Sequence, residues 1–511
     1  RGYYLDRGKK FVTSIPDKYT TYLSWLGTNV PTITDTKTNL LSVYGTLSYS
    51  YKQYFTVNAN TRYDGSNKFG DRSNEKILPV WSTSGVANLK EIAHIKLNWL
   101  DAINWKVSYG EQGNMLDGQS PVLTLTKGSY DTHYTEMTST TASNANPDLK
   151  WEKTHSFSTG FETSLFNNRL MLELEYYYKK TTDAFMNKTI SDINGYTSYI
   201  VNSGEIINKG YNFSITAVPI QNKDWNWLVS ASLSKVINKM KTSPGEDSYS
   251  LNDYLNGTAV INGQSLGTFY SYKFIGLNPE DGGPLFDDYQ DRSNELLGLS
   301  KYQTFIKVLS KSGKRDPDIT GSISSTLSYK NFRLGVLMDY AMGNKVRLFK
   351  VFGQGATINQ SGPGNIYPEY NLNRALLNRW IKPGDEARTN IPSILSKTSI
   401  NYYKYDQHWS AGYQYQGVQI ATDSYTMYDY SDIRVVSADY IRLASLSLTY
   451  ELAEKLLPKL GLQRLAITAA GNNLYTLCNS KLKGQTPTQS GFSEVQLSDN
   501  PYYTISINVQ F

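Results

Sequence analysis

The feature that most constrains this chain is a period-two alternation of apolar and polar residues, which returns in segment after segment. In residues 169–180, leucines and then tyrosines occupy every second position from Leu170 to Tyr178, while Glu173 and Glu175 fall between them. Successive side chains of a strand point to opposite faces, so the segment predicts a strand with one apolar and one charged face. A soluble sandwich could use such a strand, and so could a barrel with lipid outside and water inside.

The connections between these segments separate the two architectures. We count about 13 strands, with one more expected near Gly2–Phe11. Short connections such as Lys330–Asn331 alternate with long ones near 111–152, 181–206, 237–317, 343–431 and 474–501. Outer-membrane barrels have short turns at one end and long extracellular loops at the other. The sequence therefore predicts an all-β chain, a transmembrane antiparallel β-barrel, over residues 1–511.

Composition excludes several other classes of protein. The 51 Lys and Arg against 45 Asp and Glu form no basic run, so we expect no nucleic acid as a partner. The four histidines are scattered, the single Cys478 cannot pair within the chain, and no catalytic motif is present, so we expect no enzyme. Aromatic residues such as Tyr49, Tyr176, Tyr329 and Tyr450 stand at the ends of the alternating rows, which favours aromatic girdles at the membrane boundaries over cross-strand pairs in a soluble sheet.

Three groups of residues are candidate sites. In the long connection 343–431, Trp380, Trp409 and Tyr413 could stack on sugar rings or peptide side chains, or pack the loop against itself. No cofactor is expected; the acidic segment 280–295 could hold calcium but suits a solvated loop better.

The last segment of the chain provides the third candidate. It alternates through Ile507 and Val509 to Phe511. A terminal aromatic after such a row is similar to the signal that the barrel-assembly machinery reads in bacterial outer-membrane proteins, so we expect these three residues to direct assembly.

Several motifs resemble the SusC-like (SusC/RagA) branch of TonB-dependent outer-membrane transporters of Bacteroidetes. In order, they are the segments 62–70 (RYDGSNKFG), 107–114 (VSYGEQGN), 146–154 (NPDLKWEKT), 204–210 (GEIINKG), 439–443 (DYIRL) and 471–475 (GNNLY). The resemblance implies a bacterial outer-membrane nutrient importer for oligosaccharides or oligopeptides. It also implies a SusD-like surface lipoprotein, TonB–ExbB–ExbD as the energy source, and outer-membrane lipid around the barrel.

Members of that family have about 22 barrel strands, a plug domain and a TonB box, whereas no plug motif is recognisable here. We therefore expect this chain to be the C-terminal part of such a barrel. Two other functions stay open from the residues alone: a passive 14-strand porin-like channel, and a soluble β-rich binding or adhesion protein.

Overall fold

A computed structural model gives the fold of the chain. It describes residues 2–6, 32–36, 40–66, 77–114, 123–131, 133–189, 193, 198–242, 249–287, 289, 292–352, 373–395, 400–401, 403–406, 423–453, 455–482, 484–488 and 500–511.

The described residues are dominated by strands. In chain order they are β1 (Gly2–Asp6), β2 (Thr32–Thr36), β3 (Leu40–Tyr51), β4 (Phe55–Ser66), β5 (Ile77–Asn88), β6 (Leu100–Asn114), β7 (Thr124–Asp131), β8 (Glu136–Ser143), β9 (Glu152–Leu165), β10 (Leu170–Thr189), β11 (Ser198–Gln221), β12 (Trp225–Thr242), β13 (Thr268–Tyr272), β14 (Phe274–Leu277), β15 (Pro284–Phe286), β16 (Leu309–Lys314), β17 (Ile319–Tyr329), β18 (Phe332–Met342), β19 (Lys345–Arg347), β20 (Val435–Ser437), β21 (Tyr440–Glu451), β22 (Arg464–Cys478) and β23 (Tyr502–Gln510).

Thirteen of these strands form one sheet in the order β23-β22-β21-β18-β17-β12-β11-β10-β9-β6-β5-β4-β3. Each strand therefore lies beside the sheet strand that precedes it in the chain, and the registers given from β9 to β23 are antiparallel. The predicted all-β class and the count of about 13 strands are confirmed. The additional strand expected near Gly2–Phe11 is wrong as a member of this sheet, because Gly2–Asp6 pairs with Thr32–Thr36 in a separate hairpin.

The register gives the sheet one apolar and one polar face. On β10, Leu174 lies opposite Phe161 of β9 and Phe213 of β11. The next residue, Glu173, lies opposite Glu162 and Ser214 on the other face. The alternation in the sequence thus correctly indicates which side chains share a face.

Aromatic rings meet across the strands at the short-turn end of the apolar face. Trp225 lies opposite Tyr329 with ring centroids 4.2 Å apart, and Phe332 lies opposite Tyr450 with centroids 4.9 Å apart. Tyr329 and Phe332 are themselves opposite each other across the Lys330–Asn331 turn. Rings at one level on neighbouring strands are typical of an aromatic belt at a membrane boundary.

Short and long connections alternate between the two ends of the sheet. At one end the connections β3–β4, β9–β10, β11–β12 and β17–β18 have two to four residues, and β5–β6 and β21–β22 have 11 and 12. At the other end β6–β9, β12–β17, β18–β21 and β22–β23 have more than 20 residues, whereas β4–β5 and β10–β11 have only 10 and 8. Several strands run further than their alternation indicated, so the connections expected at 237–317 and 474–501 occupy 243–318 and 479–501. The long loop expected at 181–206 is wrong, because β10 and β11 extend through most of it and leave only the connection 190–197. The reason on β10 is a bulge between Thr181 and Ala184, where Asp183 has a positive φ of 57° and the period shifts.

Helices are few and short. The α-helices are Leu89–Ile92, Leu251–Asn256, Lys301–Val308, Tyr403–Asp406 and Ser424–Asp429, and the 3-10 helices are Ser293–Leu296, Arg374–Asn378, Asp385–Ala387, Asp432–Arg434, Pro458–Leu460 and Ser480–Leu482. None of the helices in the described ranges has the length and apolar character that crossing a bilayer requires.

By its internal contacts the chain divides into two compact units. The first comprises residues 1–47, 59–82 and 111–152, and it includes the β1–β2 and β7–β8 hairpins. Within it, Leu149 donates its amide to the Asn146 carbonyl in a tight turn, and Leu149 and Trp151 are buried. The second unit comprises residues 48–58, 83–110 and 153–511 and holds most of the polar and apolar faces described here.

Candidate functional site

Two long connections of the second unit fold together at one end of the sheet. We call the described parts of residues 243–318 and 343–439 the loop module. Their shared core consists of buried residues from both connections: Tyr254, Leu255, Ala259, Ile261, Tyr270, Tyr272, Phe286, Tyr289, Leu296, Phe305, Val308, Leu309, Val351, Leu376, Met427, Tyr428 and Tyr430. The two connections therefore form one folded body rather than two separate loops.

Local sequence signals explain the two helices that build this core. The helices Leu251–Asn256 and Lys301–Val308 each begin with a capping box, formed by Ser250 with Asp253 and by Ser300 with Gln303. Such boxes satisfy the amide groups that a helix start leaves without partners. The capped helices present Tyr254 and Phe305 to each other, with ring centroids 5.1 Å apart.

Arg347 is the polar centre of the module. Its side chain is 1% exposed and donates to the carbonyls of Leu255 (3.2 Å), Tyr270 (2.9 Å) and Ser431 (3.2 Å). It also lies 5.1 Å from the ring centroid of Tyr430. Burial lowers the pKa of Arg347 to about 10, so the guanidinium is still charged at neutral pH and joins both connections through these acceptors.

Two further buried side chains extend the network. The carboxylate of Asp429 accepts the backbone amides of Val351 (2.7 Å) and Phe352 (3.0 Å). Gln485, from the connection between β22 and β23, donates to the Arg347 carbonyl (2.8 Å) and accepts the Phe349 amide (3.0 Å). Three long connections thus meet at one end of the sheet.

The predicted ligand residue Trp380 lies inside this body. Its ring is 6% exposed, packs over Gly282, and donates Nε1–H to Glu386 at 3.0 Å. Gly282 has a φ of 71°, and a Cβ atom there would collide with the indole ring. The role expected of Trp380 in ligand stacking stays a prediction, and its observed role is packing. Trp409 and Tyr413 lie outside the described residues.

Asp281 fixes the neighbouring turn. Its buried carboxylate accepts the Tyr405 hydroxyl at 2.7 Å and the Gly283 amide at 3.1 Å, and Lys404 approaches at 3.4 Å. Burial, followed by this contact with Asp281, raises the pKa of the Tyr405 hydroxyl, which therefore stays protonated.

The acidic segment considered for calcium is engaged elsewhere too. Asp287 pairs with Arg292, and Glu295 with Lys307 at 3.1 Å. No three metal-binding side chains converge in the part of the chain that the structure describes. Calcium binding stays a prediction.

The polar face of the sheet carries ordered hydrogen bonds. Lys106 pairs with Glu162 and lies 3.8 Å from Glu173. Glu175 accepts a hydrogen bond from the side-chain amide of Asn212 at 2.9 Å. A cavity of about 380 Å³ lies beside Glu173 and Glu175 of β10 and the serines of β12. Side chains that donate and accept hydrogen bonds along a concave surface suit a polar ligand or a polar protein surface.

A second cavity, of about 390 Å³, lies where β21 and β22 reach the long-loop end. It is lined by Tyr440, Arg442, Thr476 and Gln485, among others. Arg442 forms a bidentate pair with Asp339 on β18, with both distances 3.0 Å. The sequence indicated the strand that holds Arg442, but not its partner.

The motifs of the sequence have structural roles. A Cβ atom at Gly210 would overlap the Lys235 carbonyl and lie 2.6 Å from the Tyr177 hydroxyl, so close strand approach requires glycine there. Asn473, with a φ of 53°, lies at a bulge between β21 and β22. The predicted assembly residues Ile507, Val509 and Phe511 lie in or just after β23, at one edge of the sheet, and their role stays a prediction.

Comparison with known proteins agrees with this architecture. The chain is 26% identical over 473 residues to TonB-dependent receptor P3 of Formosa agariphila, covering 86% of this chain and 41% of that protein. It is 26% identical over 353 residues to the TonB-dependent receptor SusC of Bacteroides thetaiotaomicron, covering 64% of this chain and 33% of SusC. These relatives are receptors rather than enzymes. The chain spans less than half the length of the relatives it matches.

A solved structure supports the same fold. The RagAB peptide transporter matches 94% of this chain and 49% of its own, with a TM-score of 0.73 and 23% sequence identity. The model of the TonB dependent receptor-like β-barrel family matches residues 2–349. The expected SusC-like barrel region is confirmed, and the chain belongs to the TonB-dependent receptor-like β-barrel family.

Proposed function

We propose that the chain forms part of an outer-membrane importer that takes up oligosaccharides or oligopeptides with energy from TonB–ExbB–ExbD, together with a SusD-like surface lipoprotein. The family supports TonB-dependent import. The observation that carries the proposal is the loop module, because long connections that share one folded core give a lipoprotein an ordered surface to bind. The polar face and the two cavities offer hydrogen-bonding groups to a hydrated ligand.

The nature of the ligand remains part of the proposal. RagAB is a peptide transporter, which favours peptides, and the paired donors and acceptors of Arg442 and Asp339 would serve peptide groups and sugar hydroxyls equally. The passive-channel alternative needs closure within these strands, and no pairing joins β3 to β23 among the described residues.

The first experiment tests energy coupling. Cells producing the full-length protein are given fluorescent oligosaccharides or a fluorescent tryptic digest, with and without TonB. Uptake of one class that disappears without TonB, and on addition of a protonophore, is expected. Uptake that continues without TonB would establish the passive channel instead, and release of the protein by carbonate without detergent would establish a soluble protein.

The second experiment tests sidedness, with the long connections proposed to face the cell exterior. Leu377 is 72% exposed in the loop module, and Lys223 lies in the short β11–β12 turn. In a Cys478→Ser background, Leu377→Cys should react with a membrane-impermeant maleimide on intact cells. Lys223→Cys should react only after permeabilisation, and the reverse pattern would overturn the proposed orientation.

A further inference from the structure

Four lysines interrupt the apolar face of β10, β11 and β12 near the long-loop end. Lys235 and Lys239 continue the exposed row that contains Leu233 and Ile237. Lys209 continues the row of Phe213 and Tyr211, and Lys180 continues the row of Leu174 and Tyr178. The face that carries the leucines therefore also carries four lysines on these strands: Lys180, Lys209, Lys235 and Lys239.

The register makes these lysines neighbours. Lys209 lies directly opposite Ile237, so it is diagonal to both Lys235 and Lys239. Lys180 lies opposite Ile207, so it is diagonal to Lys209. Diagonal positions on adjacent antiparallel strands are about 7–8 Å apart, within reach of long side chains. The four ammonium groups can therefore converge on one small anionic group.

Their height on the sheet corresponds to a membrane boundary. From Trp225 to Lys235 the strand β12 climbs about 33 Å, or about 25 Å along the axis of a barrel with strands tilted by about 40°. That distance equals the height of the apolar band of an outer-membrane barrel. Tyr211 lies directly opposite Lys235, and its ring centroid is 5.3 Å from that of Tyr176, so both rings lie beside the lysines where lipid headgroups begin.

On one side the cationic face continues onto β9, where His155 lies opposite Lys180 and Lys153 is diagonal to it. On the other side, β17, β18 and β21 lack this charge at the same level. Ile319 of β17 lies opposite Lys235, and Met342 of β18 lies opposite Ile319. Further along, β21 presents Ile441. A general boundary would carry cations on these strands too, so the charge on β9–β12 marks a local site.

Most of this charge is not neutralised by the protein. Lys180 pairs with Glu205 at 3.3 Å. Within the described part of the chain, no ion pair engages Lys209, Lys235 or Lys239, and all three are exposed. Three ammonium groups at the edge of an apolar band attract an anionic partner that the membrane itself can supply.

We propose that Lys209, Lys235 and Lys239, with Lys180 beside them, bind a phosphate group of a phosphorylated glycolipid in the outer leaflet. The inference rests on the proposed outward orientation of the long connections. Lysine binds phosphate as a point charge, and the diagonal spacing allows two or three lysines to contact one phosphate. Tyr176 and Tyr211 beside them would lie against the sugar and the first part of the acyl chains.

The test uses the full-length protein, purified in detergent and mixed with phosphorylated lipid A or with lipid A from which the phosphates have been removed. Bound lipid is counted by native mass spectrometry. The patch variant carries Lys209→Gln, Lys235→Gln and Lys239→Gln. The matched control carries Lys52→Gln, Lys223→Gln and Lys330→Gln, which remove the same charge from exposed positions in three short turns.

We expect the patch variant to bind phosphorylated lipid A about a hundred-fold more weakly, while the control binds as the unmodified protein does. Dephosphorylated lipid A should bind all three proteins equally weakly. Equal retention by patch and control variants would overturn the proposal. So would a patch variant that keeps the lipid but loses a co-purifying protein, because the patch would then be a protein interface. Heat-modifiable gel migration verifies that both variants are folded, and uptake is measured separately, so a failure of the import proposal remains distinguishable.

Discussion

The substitution Leu174→Arg tests whether the apolar face meets lipid. Leu174 is 49% exposed and lies near the middle of the row from Leu170 to Lys180, between Phe161 and Phe213 on the adjacent strands. An arginine near mid-bilayer on the lipid face of a barrel costs about 2–4 kcal/mol. The folding equilibrium should therefore shift by about 30-fold to 700-fold toward the unfolded protein.

The matched control places the same residue one position away. Glu173→Arg puts arginine on the polar face, opposite Glu162, where water and a carboxylate are both available. We expect the free energy of unfolding of this variant to change by no more than about 0.5 kcal/mol. Urea titration of the full-length protein in lipid vesicles, followed by tryptophan fluorescence, measures both variants. If the two substitutions destabilise the protein equally, the apolar face is not in contact with lipid and the membrane assignment of this sheet is wrong.

Three other predictions concern buried contacts. Arg347→Met leaves three backbone carbonyls of the loop module without hydrogen-bond donors, so the module should lose about 3 kcal/mol of stability. Limited proteolysis should then cut the loop module faster, while the sheet is cut as slowly as before. Gly282→Ala places a methyl group at a residue with left-handed backbone angles and against the Trp380 ring. We expect a loss of about 2–4 kcal/mol of local stability, measured as faster hydrogen exchange in residues 278–283. Unchanged exchange would refute the packing described. Ser325→Ala removes the hydrogen-bond acceptor of the Trp227 indole, 2.9 Å away on the apolar face. We expect the free energy of unfolding in urea titration to fall by about 1–3 kcal/mol, and most of this loss to be recovered when Trp227→Phe is added. Additive losses in the double variant would contradict a hydrogen bond that forms in lipid.

Most of the sheet was predictable because successive side chains of a strand point to opposite faces, so its apolar and polar residues alternate with a fixed period of two. The prediction stopped early where a bulge shifts that period, as near Asp183 on β10 and Asn473 on β22. Backbone bulges depend on one residue with unusual dihedral angles, and no repeating pattern announces them.

The loop module was less predictable, for a different reason. Arg347 and Gln485 meet across a long stretch of chain, and neither belongs to a periodic segment. Aromatic content left open whether the rings of the connection 343–431 stack on a ligand or pack the loop against itself, and only the structure shows Trp380 packed over Gly282. The sequence contains each lysine of the proposed phosphate site, but it does not show that these lysines lie close together. That follows only from the register of β10–β12.

The shared core of the loop module limits how its two connections can be exchanged between relatives. Tyr254 and Phe305 come from the connection before β17, whereas Met427 and Tyr428 come from the connection after β18. A chimera that takes only one connection from another transporter would pack the core side chains of that connection against core side chains of a different size and shape. Such a mismatch would leave cavities or clashes in the core. Natural variation in one connection must therefore be matched by variation in the other, so the two should be swapped, diversified and compared as a single inherited unit.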